Sequence, residues 1–429
     1  MPDSGRITRR GLLGIVGASA LAGCSSLEGI GGGDGGPTID TYHLPDVDEE
    51  AEPAVVASVP VDVGSEYLGG ARDRIDELLS TLPTPFGPDA IPNGHVRDRL
   101  VHAAEDATTA GSEARSAETE FEALQSLQRG RERARYAAAG WAVADEGLTV
   151  DDVREERREA VTEAAEFRER REYVGADPVR AALVHARIED ALRWAVDDDP
   201  VHRSQQDGAL LTVAEWGEAA ESTRAHAADA RHLQERFAAS LPDGAGTVDA
   251  TLTGAAEALL ADVRDRQSSL PPEPTAEDYD THHWALSDLR WEAESGTDRL
   301  ADAAGPASAV VDATERLAYV RALERVEERV DDGERFRVES AEDVATLRSE
   351  ALEALRVALD ESASSGLART VVADVAWRVA NGDRNLARLH GEVQASRLDR
   401  SIREYVVARA VSFATPWAVE RAVEALESN

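Results

Sequence analysis

Apolar residues in this chain recur at intervals of three and four over long stretches, a period that only packed helices satisfy. Val213, Trp216, Ala220, Thr223, Ala227, Ala230, Gln234, Phe237 and Leu241 form one such stripe. Val344, Leu347, Ala351, Leu355, Ala358 and Ser362 form another. A stripe of this period places one face of a helix against a core and leaves the other face to solvent. The intervening positions fit that division. Ala, Glu, Arg and Leu dominate from about residue 65 onward, and charges of alternating sign run through Arg154–Glu159 and Arg168–Glu172, as on solvated, ion-paired helix faces. Start signals are frequent: Asp177-Pro178 and Thr415-Pro416 set a capping residue before Pro at the first helical position, and Ser340 with Asp343 makes a capping box. The pattern predicts an all-α fold, a large antiparallel helical bundle or a stack of α-hairpins. The extended-looking exception is Val55–Val63, apolar at alternate positions, where Pro60 limits any strand to a sheet edge.

Four candidate helix starts resemble one another, at Thr149, Thr212, Thr275 and Ser340, separated by 63, 63 and 65 residues. Each block has a break part-way, at Gly175–Pro178, Leu241–Gly246, Gly305-Pro306 and Ser364–Gly366. Helical hairpins repeated every 63 residues or so from 149 would produce this spacing. So would an all-helical chain that merely reuses capping residues, since identity between the blocks is poor.

The N-terminus reads as an address and an anchor. The apolar run Gly11–Ala22 is shorter than the roughly 20 residues that cross a bilayer, and it is rich in Gly and Ala. Arg9 and Arg10, followed by Gly11, Leu12 and Leu13, resemble the twin-arginine export signal. Leu21-Ala22-Gly23-Cys24 resembles the lipobox of bacterial and archaeal lipoproteins. The resemblance covers residues 1–24 and implies cleavage before Cys24, a diacylglyceryl group on its sulfur, and a mature protein on the outer face of the cytoplasmic membrane. Two acyl chains hold a protein firmly where one does not. Residues 24–37 then form a Gly-rich tether with a root-mean-square reach of roughly 20 Å. An irregular segment, 38–64, leads to a helical body over 65–429, as one large domain or two packed ones.

Composition removes whole classes of chemistry. Cys24 is the sole cysteine, so no thiol remains for a disulfide, an Fe–S cluster or a cysteine zinc site. The 46 basic residues are all Arg, which excludes a Walker A loop, a Schiff-base lysine and a serine–lysine dyad. The net charge of -37, with no basic face to neutralise phosphates, argues against nucleic acid. A Lys-free, carboxylate-rich chain resembles proteins of extremely halophilic archaea, whose acidic surfaces remain soluble in concentrated salt. In that medium the charge is not a partner signal, because the Debye length at 1 M is about 3 Å.

Candidate sites are few. His95, Asp98, His102 and Asp106 share one flank of a helix, and His95, Asp98 and His102 are the nearest approach to a metal-ligand set. The flank lies away from Val96, Leu100, Ala103 and Ala107, which favours a solvated surface. None of the ten His residues follows Glu by three, as a ferritin-like carboxylate site would require; Asp229 before His232 and Asp280 before His283 come closest. No cofactor is expected. Trp284 and Trp291 project from the side of their helix opposite the stripe Leu286, Leu289, Ala293, Gly296 and Leu300. Two apolar faces imply a helix sandwiched between neighbours, with both rings buried; the alternative is an aromatic binding surface. These features together favour a membrane-anchored, helical interaction or ligand-binding module, with an envelope protein as a candidate partner. An exported hydrolase built from carboxylates and His is the alternative.

Overall fold

A computed structural model describes residues 37–48, 53–83, 86–197, 208–270, 281–301, 303–334 and 336–429. Arg9, Arg10, Leu21, Ala22, Gly23 and Cys24 lie outside the described residues, as does the helix start expected at Thr275. The fold is all-α. Six helices make the first half: α1 (Ser65–Ser80), α2 (Gly94–Ser116), α3 (Glu120–Asp145), α4 (Val150–Arg170), α5 (Pro178–Asp197) and α6 (Ala209–Ala239). Six make the second: α7 (Asp249–Ser268), α8 (Thr281–Ala301), α9 (Pro306–Asp331), α10 (Ala341–Glu361), α11 (Ser365–Ala387) and α12 (Asp399–Ser428). Among the described residues, no helix is long and apolar enough to cross a membrane.

Each half is organised around one enclosed helix. In the first, α6 packs against α3, α4 and α5, and it buries Leu211, Ala214, Ala220, Ala225, Ala230 and Phe237 around much of its circumference. In the second, α12 packs against α7, α8, α9, α10 and α11. The helix starts follow local chemistry. Asn93, Thr119 and Ser364 each accept a backbone N–H from the first turn of α2, α3 and α11. Thr149 with Asp152, and Ser340 with Asp343, close reciprocal capping boxes on α4 and α10. Asp177 accepts from Arg180 N–H at 2.8 Å beside Pro178, as its sequence signature predicts.

Three local expectations are corrected. Thr212 does not start a helix: it sits one turn inside α6, donating its hydroxyl to the Gly208 carbonyl at 3.1 Å, while Gly208 itself, at φ 89°, turns the chain into the helix. The 63-residue spacing therefore coincides with caps at Thr149 and Ser340 but not at Thr212. Pro416 does not begin a helix either, because it lies inside α12. Around it the buried hydroxyls of Ser412 and Thr415 donate to the carbonyls of Ala408 and Val411, at 2.7 and 2.9 Å. Burial of Val411, Ala414, Ala418 and Val419 carries the helix through the lost hydrogen bond.

The third correction concerns residues 55–63, which form no strand. Helix side chains take the backbone groups that a ladder would use. Thr119 donates to the Ala57 carbonyl, Arg180 to Pro60 and Arg236 to Asp62, each at 3.0 Å. His232 Nε2 lies 2.5 Å from the Val63 carbonyl, and the Glu120 carboxylate accepts from the N–H groups of Val63 and Gly64. With Val55 and Val63 buried, the segment is a strap clamped across α3, α5 and α6. The short strands lie elsewhere. β1 (Thr38–Asp40) pairs antiparallel with β4 (Glu392–Gln394), and β2 (Val174–Gly175) with β3 (Gly246–Thr247).

The halves meet where α5 packs on α9. At this joint the carboxylate of Glu189, fully buried on α5, caps the start of α9. It accepts from the Ser308 N–H at 2.6 Å, the Ser308 hydroxyl at 2.7 Å and the Ala307 N–H at 3.2 Å. Tyr173 donates to it at 2.7 Å and Arg171 at 3.2 Å. The negative charge sits at the positive end of the α9 dipole. Gly305 makes room for it: a Cβ there would collide with Glu189 Oε1. One apolar core, from Ile39 to Leu426, runs through both halves.

Candidate functional site

Where α1 leaves the strap, its first two turns stand beside α3 and α6 and leave a pocket of about 510 Å³. That volume suits a small molecule, whose sites span roughly 300–1,000 Å³. Val63, Gly64, Glu66 and Tyr67 line it from the strap and the α1 N-terminus, with Gly70, Ala71 and Arg74 one turn further on. Arg131 comes from α3, and Ala228, His232 and Arg236 from α6.

Behind the wall lie two buried acids. Glu221, 1% exposed, receives Arg74 Nη2 at 3.2 Å and Arg131 Nη2 at 3.1 Å, fixing both guanidinium groups at the pocket wall. Asp229 accepts the Tyr67 hydroxyl at 2.7 Å. Burial pushes the Asp229 carboxyl up to about 7, against the lowering effect of the Tyr67 hydrogen bond and the Arg131 charge. Burial and the neighbouring Asp229 raise the Tyr67 phenol well above its usual range. The Tyr67 ring stacks on His232 with centroids 3.7 Å apart and planes 6° from parallel. Because His232 also holds the strap carbonyl of Val63, strap, α1 and α6 are locked around one edge of the pocket.

The lining inverts the charge balance of the chain. Three Arg and one His face one acid, Glu66, although acids outnumber Arg 83 to 46 overall. The first turn of α1 adds the positive end of a helix dipole. Gly69 and Gly70 stand mid-helix, where each Gly costs about 1 kcal/mol relative to Ala. A Cβ on either would meet nothing within 4 Å, so close packing does not explain them.

The residues expected from sequence fall elsewhere. His95, Asp98, His102 and Asp106 are exposed along α2, with His102 Nδ1 2.5 Å from the Asp98 carbonyl oxygen. Among the described residues, no group of three or more His, Cys, Asp or Glu is placed to hold a metal ion. Trp284 and Trp291 are not buried: they are 46% and 61% exposed, while Ala285, Leu286, Leu289 and Ala293 fill a covered face of α8. The helices enclosed on several sides are α6 and α12. Trp216, expected in the core, is half-buried under the Arg154 guanidinium, 4.8 Å from its centroid. The pocket left two legible traces: the Gly69-Gly70 pair inside a helical period, and Asp229-x-x-His232, which supplies one residue behind the wall and one on it.

Residues 66–243 match the family model described as Domain of unknown function (DUF8262), and residues 249–424 match Domain of unknown function (DUF8264). No curated protein and no solved structure matches the chain. The two matched stretches meet in the turn between α6 and α7, so that the chain joins a half similar to the first family to a half similar to the second, with the pocket set against the first.

Proposed function

We propose that this protein is a lipid-anchored, extracytoplasmic module that binds a small molecule in the pocket between α1, α3 and α6. The observation that carries the reading is the pocket itself, an open volume walled by side chains that buried acids hold in place. A rigid, preformed wall lowers the ordering cost of binding. Binding fits better than hydrolysis because the two carboxylates behind the wall are already engaged, Glu221 by Arg74 and Arg131 and Asp229 by Tyr67, which leaves Glu66 as the single acid of the lining where a carboxylate hydrolase needs a pair. The anchor part of the proposal rests on the twin-arginine and lipobox resemblance of residues 1–24.

Purification of the protein from native membranes at molar salt, followed by denaturation and mass spectrometry of released small molecules, tests the binding reading. A stoichiometric ligand supports it. A stoichiometric protein partner with no retained small molecule would instead favour an interaction module. Cys24→Ala should move the protein from the membrane to the soluble extracytoplasmic fraction, and its retention on membranes at molar salt would refute the anchor.

A further inference from the structure

We infer that the ligand of this pocket is a free small organic anion, held through a carboxylate or phosphate group by Arg131 and Arg236. The inference rests on the proposal that the pocket is a ligand site and goes on to name the class of ligand. Both guanidinium groups line the pocket from different helices, and each is fixed from behind through Nε and Nη2, Arg131 by Glu221 and Arg236 by the Asp62 carbonyl and carboxylate. The Nη1 group of each has no protein partner among the described residues. Guanidinium groups held in this way present fixed donors of the kind that oxyanions take up.

One further electrostatic feature favours an anion over a neutral ligand, and the shape of the pocket favours an organic occupant. The counter-charge of Arg131 is buried, so the side of the wall facing the pocket is cationic. The α1 N-terminus borders the pocket through Val63, Gly64 and Tyr67, with the N–H groups of Val63 and Gly64 already taken by the Glu120 carboxylate. Gly70 keeps the middle of the pocket wall free of any side chain at a cost to helix stability, and an exposed helix position with open space in front of it gains nothing from Gly unless the space is used. The volume of about 510 Å³ exceeds what a lone inorganic ion fills, which places the rest of an organic molecule along Ala71 and Ala228.

The test is calorimetric titration of the full-length protein with inorganic phosphate, citrate and trehalose, KCl holding the ionic strength constant in the molar range, alongside flotation with phosphatidylglycerol vesicles. The expected result is saturable binding of citrate, weaker binding of phosphate and none of trehalose. Arg236→Gln should weaken citrate at least tenfold, since a hydrogen bond to a charged group is worth about 1.5–3 kcal/mol. Gly70→Leu should abolish citrate binding while leaving the thermal transition unchanged or higher, an outcome misfolding cannot produce. Should Gly70→Leu fail to fold, Arg236→Gln decides. Binding of trehalose without the anions would overturn the anion class and leave the pocket a ligand site. Binding of none of the three, with no interaction with vesicles, would overturn the anion class and leave the pocket reading to the retained-ligand experiment, and an Arg236-dependent interaction with vesicles alone would overturn the free solute in favour of a lipid headgroup.

Discussion

Glu189→Gln is the sharpest probe of how the two halves are joined. The substitution keeps side-chain volume but removes the charge that faces Arg171, whose side chain is 3% exposed, and the start of α9. Arg171 Nη1 has no partner among the described residues, and the other acceptor of Nη2, the Tyr173 hydroxyl, is neutral and cannot replace the lost charge. Removing one member of a buried pair costs about 3–5 kcal/mol, because the remaining charge is left uncompensated. The amide nitrogen of Gln also cannot accept from Ser308. We expect chemical denaturation at molar salt to show a loss of about 3–5 kcal/mol. Adding Arg171→Met should restore a large part of it, since a buried pair replaced by apolar groups is often close to neutral. A single variant within about 1 kcal/mol of wild type, or a double variant whose losses simply add, would refute the capping role.

Trp284→Ala and Trp291→Ala should each cost under about 1 kcal/mol, far from the 3–5 of a buried aromatic, because both rings are substantially exposed; a large loss in thermal melts would show that α8 is covered on that side. Burial holds the Asp229 carboxyl at a pKa of about 7 against an ordinary 3.8, so the folded state keeps its proton more tightly than the unfolded state does. That contribution is complete below about pH 4 and is lost as pH rises towards 7, up to about 4 kcal/mol. Urea melts of Asp229→Asn should therefore gain on wild type as pH rises from 4 to 8, and parallel curves would contradict the raised pKa. Dilution from molar salt should broaden the helical transition followed by circular dichroism, because the net charge of -37 repels itself as screening fades. An unchanged sharp transition at low ionic strength would defeat the halophile argument.

What was legible in the sequence was periodic or immediate in sequence. The stripes through Val213 and Val344 mark buried faces, and Thr149, Asp177 and Ser340 cap helices through bonds to residues three positions on. What failed was decided from outside the helix concerned. Whether Trp291 is covered depends on a neighbour that its own periodicity does not reveal. Thr415-Pro416 has the chemistry of a helix start, yet packing against six other helices keeps α12 continuous. The alternation in Val55–Val63 reports real burial at both ends, but the hydrogen-bond partners are side chains of Thr119, Arg180, Arg236 and His232, scattered over more than a hundred positions. The pocket suffered the same difficulty. Arg131 and Arg236 are two of 46 Arg residues, and only their meeting in space distinguishes them.

The way the halves are stitched bears on how the gene can be divided. β1 precedes α1 in the chain yet pairs with β4 in the second half, and β3, just before α7, pairs with β2 in the first. Glu189 seated on α9 crosses between the two family stretches, β1 with β4 ties the segment before the first stretch to the second, and β2 with β3 ties the first stretch to the turn that follows it. A polypeptide cut between residues 243 and 249 would therefore not fall into two independent bodies. Its pieces, produced as separate transcripts, would behave as the subunits of a heterodimer, each finishing the hydrogen bonding of the other.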